Sequence, residues 1–244
     1  MTKLSVNINK IATIRNARGG NTPNIVQVAI DCERFGAQGI TVHPRPDERH
    51  ITLKDVYELK EVVKTEFNIE GYPDERFMKI IRDIRPAQAT LVPDPPHVLT
   101  SNTGWDVIHN ESFLKEILLE LKELGVRTSL FLNPDLKQLE KVKNVGADRI
   151  EFYTGAYAEN YPIDKKEAIR EYKVVSNEAI KLGIGINAGH DLSLDNLAYL
   201  IQEIPEIDEV SIGHALISDA IYFGLENTIQ RYLYEIEKGQ QKLI

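Results

Sequence analysis

Cysteine occurs once in the 244 residues, at Cys32. A single thiol excludes an internal disulfide framework and fits a reducing compartment. Its plainest role is that of a small buried hydrophobe on a helix. No apolar run approaches the ~20 residues that span a bilayer. The opening Met-Thr-Lys-Leu-Ser-Val-Asn lacks the apolar centre of a secretory signal, so a cytoplasmic location is expected. Excess positive charge is missing too: 29 Lys and Arg against 37 Asp and Glu leave a net charge of −8. That balance argues against sequence-independent nucleic-acid binding, which needs a basic face. Several short motifs are absent as well. No Gly-x-Gly-x-x-Gly follows the first strand, no Gly-x-Ser-x-Gly elbow exists, and no His-x-His or His-Glu-x-x-His pair is present. These absences set aside a dinucleotide fingerprint, a serine nucleophile and a close-spaced metal site; no metal is expected.

What is present is an ordinary globular composition, 42% hydrophobic and 27% charged, with a marked alternation. Eight short β-branched runs lie near Leu4–Ile8, Ile40–His43, Phe67–Glu70, Ala89–Val92, Thr128–Leu132, Arg149–Tyr153, Ile184–Asn187 and Glu209–Ile212. Between them, apolar stripes at helical spacing predict helices. One is Leu53, Val56, Leu59 and Val63; a second is Phe113, Ile117, Leu121 and Leu124. A third is Ile169, Tyr172, Val175, Ala179 and Leu182, and a fourth runs from Ile217 through Ile221, Leu225, Ile229 and Tyr232 to Ile236. Glycine follows a helix and precedes a strand at Gly36, Gly125, Gly146 and Gly183, as left-handed caps require. Strict alternation implies a parallel sheet. Eight units in 244 residues predict one (β/α)8 barrel domain over residues 1–244, with a doubly wound sheet as the alternative. Pro93 to His109 and Gly155 to Ile163 are long enough to hold extra helices or a lid.

In such a barrel the reactive groups gather where strands end. The expected rim is Asn7, His43, Glu70, Glu151, Asn187 with His190, and Gly213-His214. Gly39 to Thr52 is the densest stretch: a strand releases His43, and a two-proline loop then carries Arg45, Arg49 and His50. Thr52 and Asp55 have the spacing of a capping box that opens the following helix. The turns Asn187-Ala188-Gly189-His190 and Ile212-Gly213-His214-Ala215 fit the common phosphate site after strands seven and eight. Arg15 and Arg18, ahead of Gly19-Gly20, read as a second cationic patch, giving room for two phosphates. Acid–base work by imidazoles and carboxylates on a phosphorylated substrate is the chemistry these groups suit. The residues alone leave three other readings open: a sugar-phosphate isomerase or epimerase, a non-catalytic metabolite sensor, and a nucleic-acid repair barrel that the acidic charge disfavours.

Val6 to Gly19, Gly39 to Thr52, Asn68-Ile69-Glu70, Asn187 to His190 and Ile212 to Ala215 together resemble the motifs of the pyridoxine 5′-phosphate synthase family, in the same order. The resemblance implies condensation of 3-amino-2-oxopropyl phosphate with 1-deoxy-D-xylulose 5-phosphate to pyridoxine 5′-phosphate, phosphate and water. It implies no cofactor and a homo-oligomer, an octamer by analogy. His43 and Glu70 would be general bases, His190 the general acid, and Glu151 the stabiliser of a charged transition state. Asn7, Arg18, Asp191, Gly213 and His214 would bind the amino-ketone phosphate. Asn9, Lys10, Arg45, His50 and Thr100 would bind the deoxyxylulose phosphate. The chain departs from the pattern at Asn9-Lys10, where many members read Asp-His, at Asp191, where glycine is usual, and at Tyr153, where histidine is. A carboxylate repels phosphate, so the expected contact at Asp191 is through backbone N–H, with the side chain turned away.

Overall fold

The computed structural model describes residues 1–93 and 103–241. Among them, eight parallel strands close into a barrel: β1 (Lys3–Asn7), β2 (Gly39–Val42), β3 (Glu66–Gly71), β4 (Gln88–Leu91), β5 (Arg127–Leu132), β6 (Arg149–Tyr153), β7 (Gly185–Gly189) and β8 (Ile207–Ile212). Each strand pairs with its neighbours in sequence, and β1 shuts the ring against β8, with Val6 opposite Ile212. Pairing in chain order without a reversal is the closed solution, so the (β/α)8 barrel holds and the doubly wound alternative falls.

Helices α1 (Asn9–Arg18) and α2 (Ile25–Arg34) follow β1, α3 (Leu53–Val62) follows β2, and α4 (Glu75–Ile84) follows β3. Then α5 (Glu111–Glu123) follows β4, α6 (Leu136–Val145) follows β5, and α7 (Gly155–Asn160) with α8 (Lys165–Leu182) follows β6. The ring ends with α9 (Leu197–Glu203) after β7 and α10 (His214–Phe223) with α11 (Leu225–Gln241) after β8. The irregular stretch from Gly155 does hold an extra helix, α7. That from Pro93 lies partly outside the described residues; within them Trp105 is buried, its Nε1 donating to the Leu91 carbonyl at 2.8 Å.

Local chemistry explains most boundaries. The Thr52 hydroxyl accepts from the Asp55 N–H while Asp55 accepts from the Thr52 N–H, which is the reciprocal cap that opens α3. Helices α6 and α8 stop on Gly146 and Gly183, at φ of 85° and 71°. The third stripe buries Ile169, Tyr172, Val175 and Ala179 as spaced. In the second, α5 buries Leu114, Leu118 and Leu121, while Phe113, Ile117 and Leu124 pack partly buried at its edge, Phe113 stacking on Tyr72 at 6.2 Å. The fourth is broken by Gly224, at φ 76°, which separates α10 from α11 and leaves Ile221 73% exposed.

Strand residues point alternately inward and outward. Leu4, Val6, Ile40, Val42, Ile69, Leu91 and Phe152 form part of the buried apolar set. The alternate positions are polar, and hydrogen bonds between non-adjacent strands cross the lumen. Gln88 Nε2 on β4 donates to Glu209 on β8 at 3.3 Å, Asn187 Nδ2 on β7 donates to Gln88 at 3.2 Å, and the Thr90 hydroxyl on β4 donates to Glu151 on β6 at 3.4 Å. Branched apolar layers usually fill such barrels; here a hydrogen-bonded polar interior takes their place. Among the described residues, no helix is long and apolar enough to cross a membrane.

Candidate active site

A cavity of about 330 Å3 opens at the strand C-termini, within the size range of small-molecule sites. His43, Glu70, Glu151 and His190 all line it, as do Asn7, Asn9, Lys10, Arg45, His50, Asp191, Gly213 and His214. Twelve of the fourteen expected residues therefore meet in one place. Thr100 lies outside the described residues. Arg18 does not line the cavity: it is exposed at the far end of α1, nine residues beyond Asn9 and so ~14 Å further along the helix axis.

The second correction concerns Arg15. It is not part of a cationic patch. Its guanidinium is buried in a two-point pair with Asp55, at 2.5 and 2.8 Å, and its Nη2 also donates to the His50 carbonyl. Beside it, Asn16 Nδ2 donates to the same carbonyl at 2.8 Å. Through Arg15 and Asn16, helix α1 thus clamps the β2–α3 loop.

Neighbouring strand ends set one another. Asn9 Oδ1 accepts from the His43 N–H at 2.9 Å, and Asn7 Oδ1 accepts from the Asn9 N–H at 3.1 Å, so the first strand end sets the second. The side-chain amide of Asn7 donates to Glu70 at 3.4 Å. The His50 Nδ1 accepts from the Ile51 N–H at 2.9 Å, which assigns the proton of the neutral ring to Nε2. Glu151 is 2% exposed, and its Oε1 lies 2.3 Å from where a Cβ on Gly189 would sit, so any side chain there would displace the carboxyl. Gly213 and His214 open α10, whose first N–H groups suit an anion.

Burial and charge then tune these groups. His43 is pushed down to about 3 by desolvation and by the Arg45 charge, so it is neutral near pH 7. Desolvation, with Arg45 and Lys10, lowers His50 to about 4. Glu70 is raised to about 7, chiefly by burial, with His190 opposing and Glu209 assisting. Burial and the Glu70 charge hold Glu151 well above the ordinary carboxyl range. Burial acts against a charge on His190, but Asp191 and Glu70 outweigh it and raise its pKa. One cavity thus holds a neutral imidazole, a carboxylate poised at neutrality, a carboxyl biased towards its neutral form and an imidazole biased towards its acid form.

Arg49, Thr13, Val92, Phe131, Leu192, Ser211, Ile212 and Ala215 also line the cavity. Arg49 stands in the dense β2–α3 loop, but neither its spacing nor the family resemblance assigns it to substrate. The apolar members carry no signal in sequence, because a cavity wall and a core face have the same composition. Cys32 is buried and pushed up to about 12 by desolvation, which makes it inert. Among the described residues, no three His, Cys, Asp or Glu side chains are gathered so as to hold a metal ion.

A family profile described as "Pyridoxal phosphate biosynthesis protein PdxJ" matches residues 4–238. A pyridoxine 5′-phosphate synthase of Cytophaga hutchinsonii is 58% identical over 238 residues, 98% of this chain and 100% of that protein. One from Porphyromonas gingivalis is 59% identical over 232 residues, 95% of this chain and 98% of that protein. Among solved structures, a phosphoribosylanthranilate isomerase of Thermotoga maritima superposes with a TM-score of 0.61 at 11% identity, covering 97% of this chain and 99% of that one. At that identity the likeness speaks for the barrel alone.

Proposed function

The chain belongs to the PdxJ family of pyridoxal phosphate biosynthesis proteins, and from that premise we infer that it catalyses pyridoxine 5′-phosphate synthesis. The reaction joins 3-amino-2-oxopropyl phosphate to 1-deoxy-D-xylulose 5-phosphate and releases pyridoxine 5′-phosphate, inorganic phosphate and water. The observation that carries the reading is the meeting of His43, Glu70, Glu151 and His190 in one cavity beside the start of α10.

Forming an aromatic pyridine requires imine formation, eliminations and ring closure, hence several proton transfers at neutral pH. His43, held neutral by burial and Arg45, is available as a base on the deoxyxylulose side. Glu70, near 7, can take a proton and return it within one cycle. His190 gives the proton that a leaving oxygen needs. Burial and the Glu70 charge disfavour the carboxylate form of Glu151; an arriving iminium charge would draw it towards that form, where it stabilises the cation. Asn7, Gly213 and His214 are assigned to the amino-ketone phosphate, and Asn9, Lys10, Arg45 and His50 to the deoxyxylulose phosphate. Arg18 and Thr100 keep only the support of the family resemblance.

We also propose that the chain works in the cytoplasm as one barrel domain within a homo-octamer, without membrane or nucleic-acid partners. The net charge of −8 supports the last point, and exposed Ile221, Tyr222 and Tyr234 give apolar surface suited to self-association. Incubating the protein with both phosphates should yield the product's pyridine absorbance together with released phosphate. His43→Ala should abolish turnover while substrate still binds by calorimetry. Wild-type protein that binds both phosphates and forms no pyridine would refute the assignment, and light scattering settles the oligomer separately.

A further inference from the structure

Asp191 follows His190 on the turn between β7 and α9, and both adopt left-handed backbone, at φ 57° for His190 and 86° for Asp191. Neither residue is glycine, so the turn must be held by its surroundings. The Thr154 hydroxyl contacts the carbonyls of Gly189 and His190 at 2.9 and 3.1 Å, and Asn196 Nδ2 donates to the Asp191 carbonyl at 3.2 Å. Held this way, the Asp191 carboxylate lies 3.0 Å from His190 Nδ1. The ring meets Tyr153 edge-on at 5.2 Å and Phe131 at 6.2 Å, which restricts its rotation.

We propose that Asp191 is a positioning residue for His190 rather than a phosphate ligand, binding Nδ1 so that the ring presents Nε2–H to the cavity. This rests on the proposed reaction, in which His190 is the general acid. An imidazole whose Nδ1–H is held by a carboxylate has one tautomer when neutral and is favoured in its charged form. When charged it carries a proton on Nε2, the nitrogen left for substrate; after transfer the ring stays oriented by the same bond. The titratable groups facing the ring are Asp191 on its own turn, Glu70 on β3 and the Tyr153 phenol on β6; Phe131 on β5 is apolar. Asp191 and Glu70 both favour the charged ring, so removing Asp191 leaves only the more distant carboxylate.

Asp191→Asn and Asp191→Gly, made in the full-length protein, test this. The His190 imidazole nitrogens are followed by NMR without substrate, with signals assigned through His190→Gln. In both variants the titration midpoint should fall by about one pH unit, and the basic limb of the kcat profile should fall with it. KM for both phosphates should stay within about twofold. Asp191→Glu should restore part of the midpoint. An unmoved midpoint overturns the proposal, and so does a several-fold change of KM for the amino-ketone phosphate with the basic limb in place, which would mark Asp191 as a substrate contact. The titration needs no turnover. A midpoint that falls in a protein making no pyridine therefore counts against the proposed reaction, not against the histidine–aspartate pair.

Discussion

Two imidazoles share one loop with Arg45, and their mutual repulsion gives a sharp expectation. His43 and His50 sit at about 3 and about 4 because burial and neighbouring cations disfavour a third charge. A phosphate dianion entering beside them reverses that balance, so binding should draw in protons. Calorimetry near pH 6.5 of the binding of sulfate, a dianion that carries no proton there, in buffers of different ionisation enthalpy, should show net proton uptake, lost in His50→Gln. Buffer-independent enthalpies would contradict it. For Glu70, replacement by Gln should lower kcat by 10²–10⁴-fold and remove the acidic limb of the profile near pH 7, as measured by steady-state kinetics. At this scale the sequence was informative wherever a strand end places a side chain, as at His43, Glu70 and Glu151. It was silent wherever a partner decides. Arg15 and Asp55 are 40 positions apart, and only folding reveals that this arginine is already engaged.

The same pair shows how helix α1 governs the β2–α3 loop. Arg15 and Asn16 both hold the His50 carbonyl, and Asp55 joins the clamp to the cap of α3. Breaking one partner of a buried ion pair costs about 3–5 kcal/mol, so Arg15→Met should lower stability by that order in denaturant unfolding. It should also raise KM for the deoxyxylulose phosphate. Thr52→Ala should cost only about 1 kcal/mol. Equal effects of the two substitutions would mean the pair is solvent-screened and the clamp unimportant. Elements were legible because the cap, the glycine exits and the period of the stripes are all local signals. Phase was less so: α5 turns Leu114 and Leu118 inward, while Phe113 packs at its edge against aromatic partners, Tyr72 and Trp105, supplied by other parts of the chain.

For the molecule as a whole, ionisation sets how stability varies with pH. Glu70 rises from 4.5 to about 7, and Glu151 and Glu209 shift the same way, mainly through burial. The Glu70 contribution is present below 4.5 and is lost as pH rises through about 7, and those of Glu151 and Glu209 are lost in the same direction. His43 and His50 are depressed below 6.5, so theirs is present above that value and is lost as pH falls towards about 4. The Tm by calorimetry in non-binding buffer should therefore decline from about pH 6.5 to about pH 8, where the histidine contribution is complete and the carboxyl contribution is being lost. A steady rise from pH 6 to 8.5 would refute this. The barrel could be read from alternation alone. Its polar lumen could not, because Gln88 and Glu209 look like ordinary strand residues, and Asn187 like a rim group, until closure brings β4, β7 and β8 across from one another.

That hydrogen-bonded interior has a thermal consequence. Hydrating polar groups on unfolding lowers the heat-capacity change that apolar exposure raises. This barrel should therefore unfold with a heat-capacity increment below the ~12–15 cal/mol/K per residue typical of proteins. Its stability curve should be correspondingly broad, declining gently on either side of its maximum.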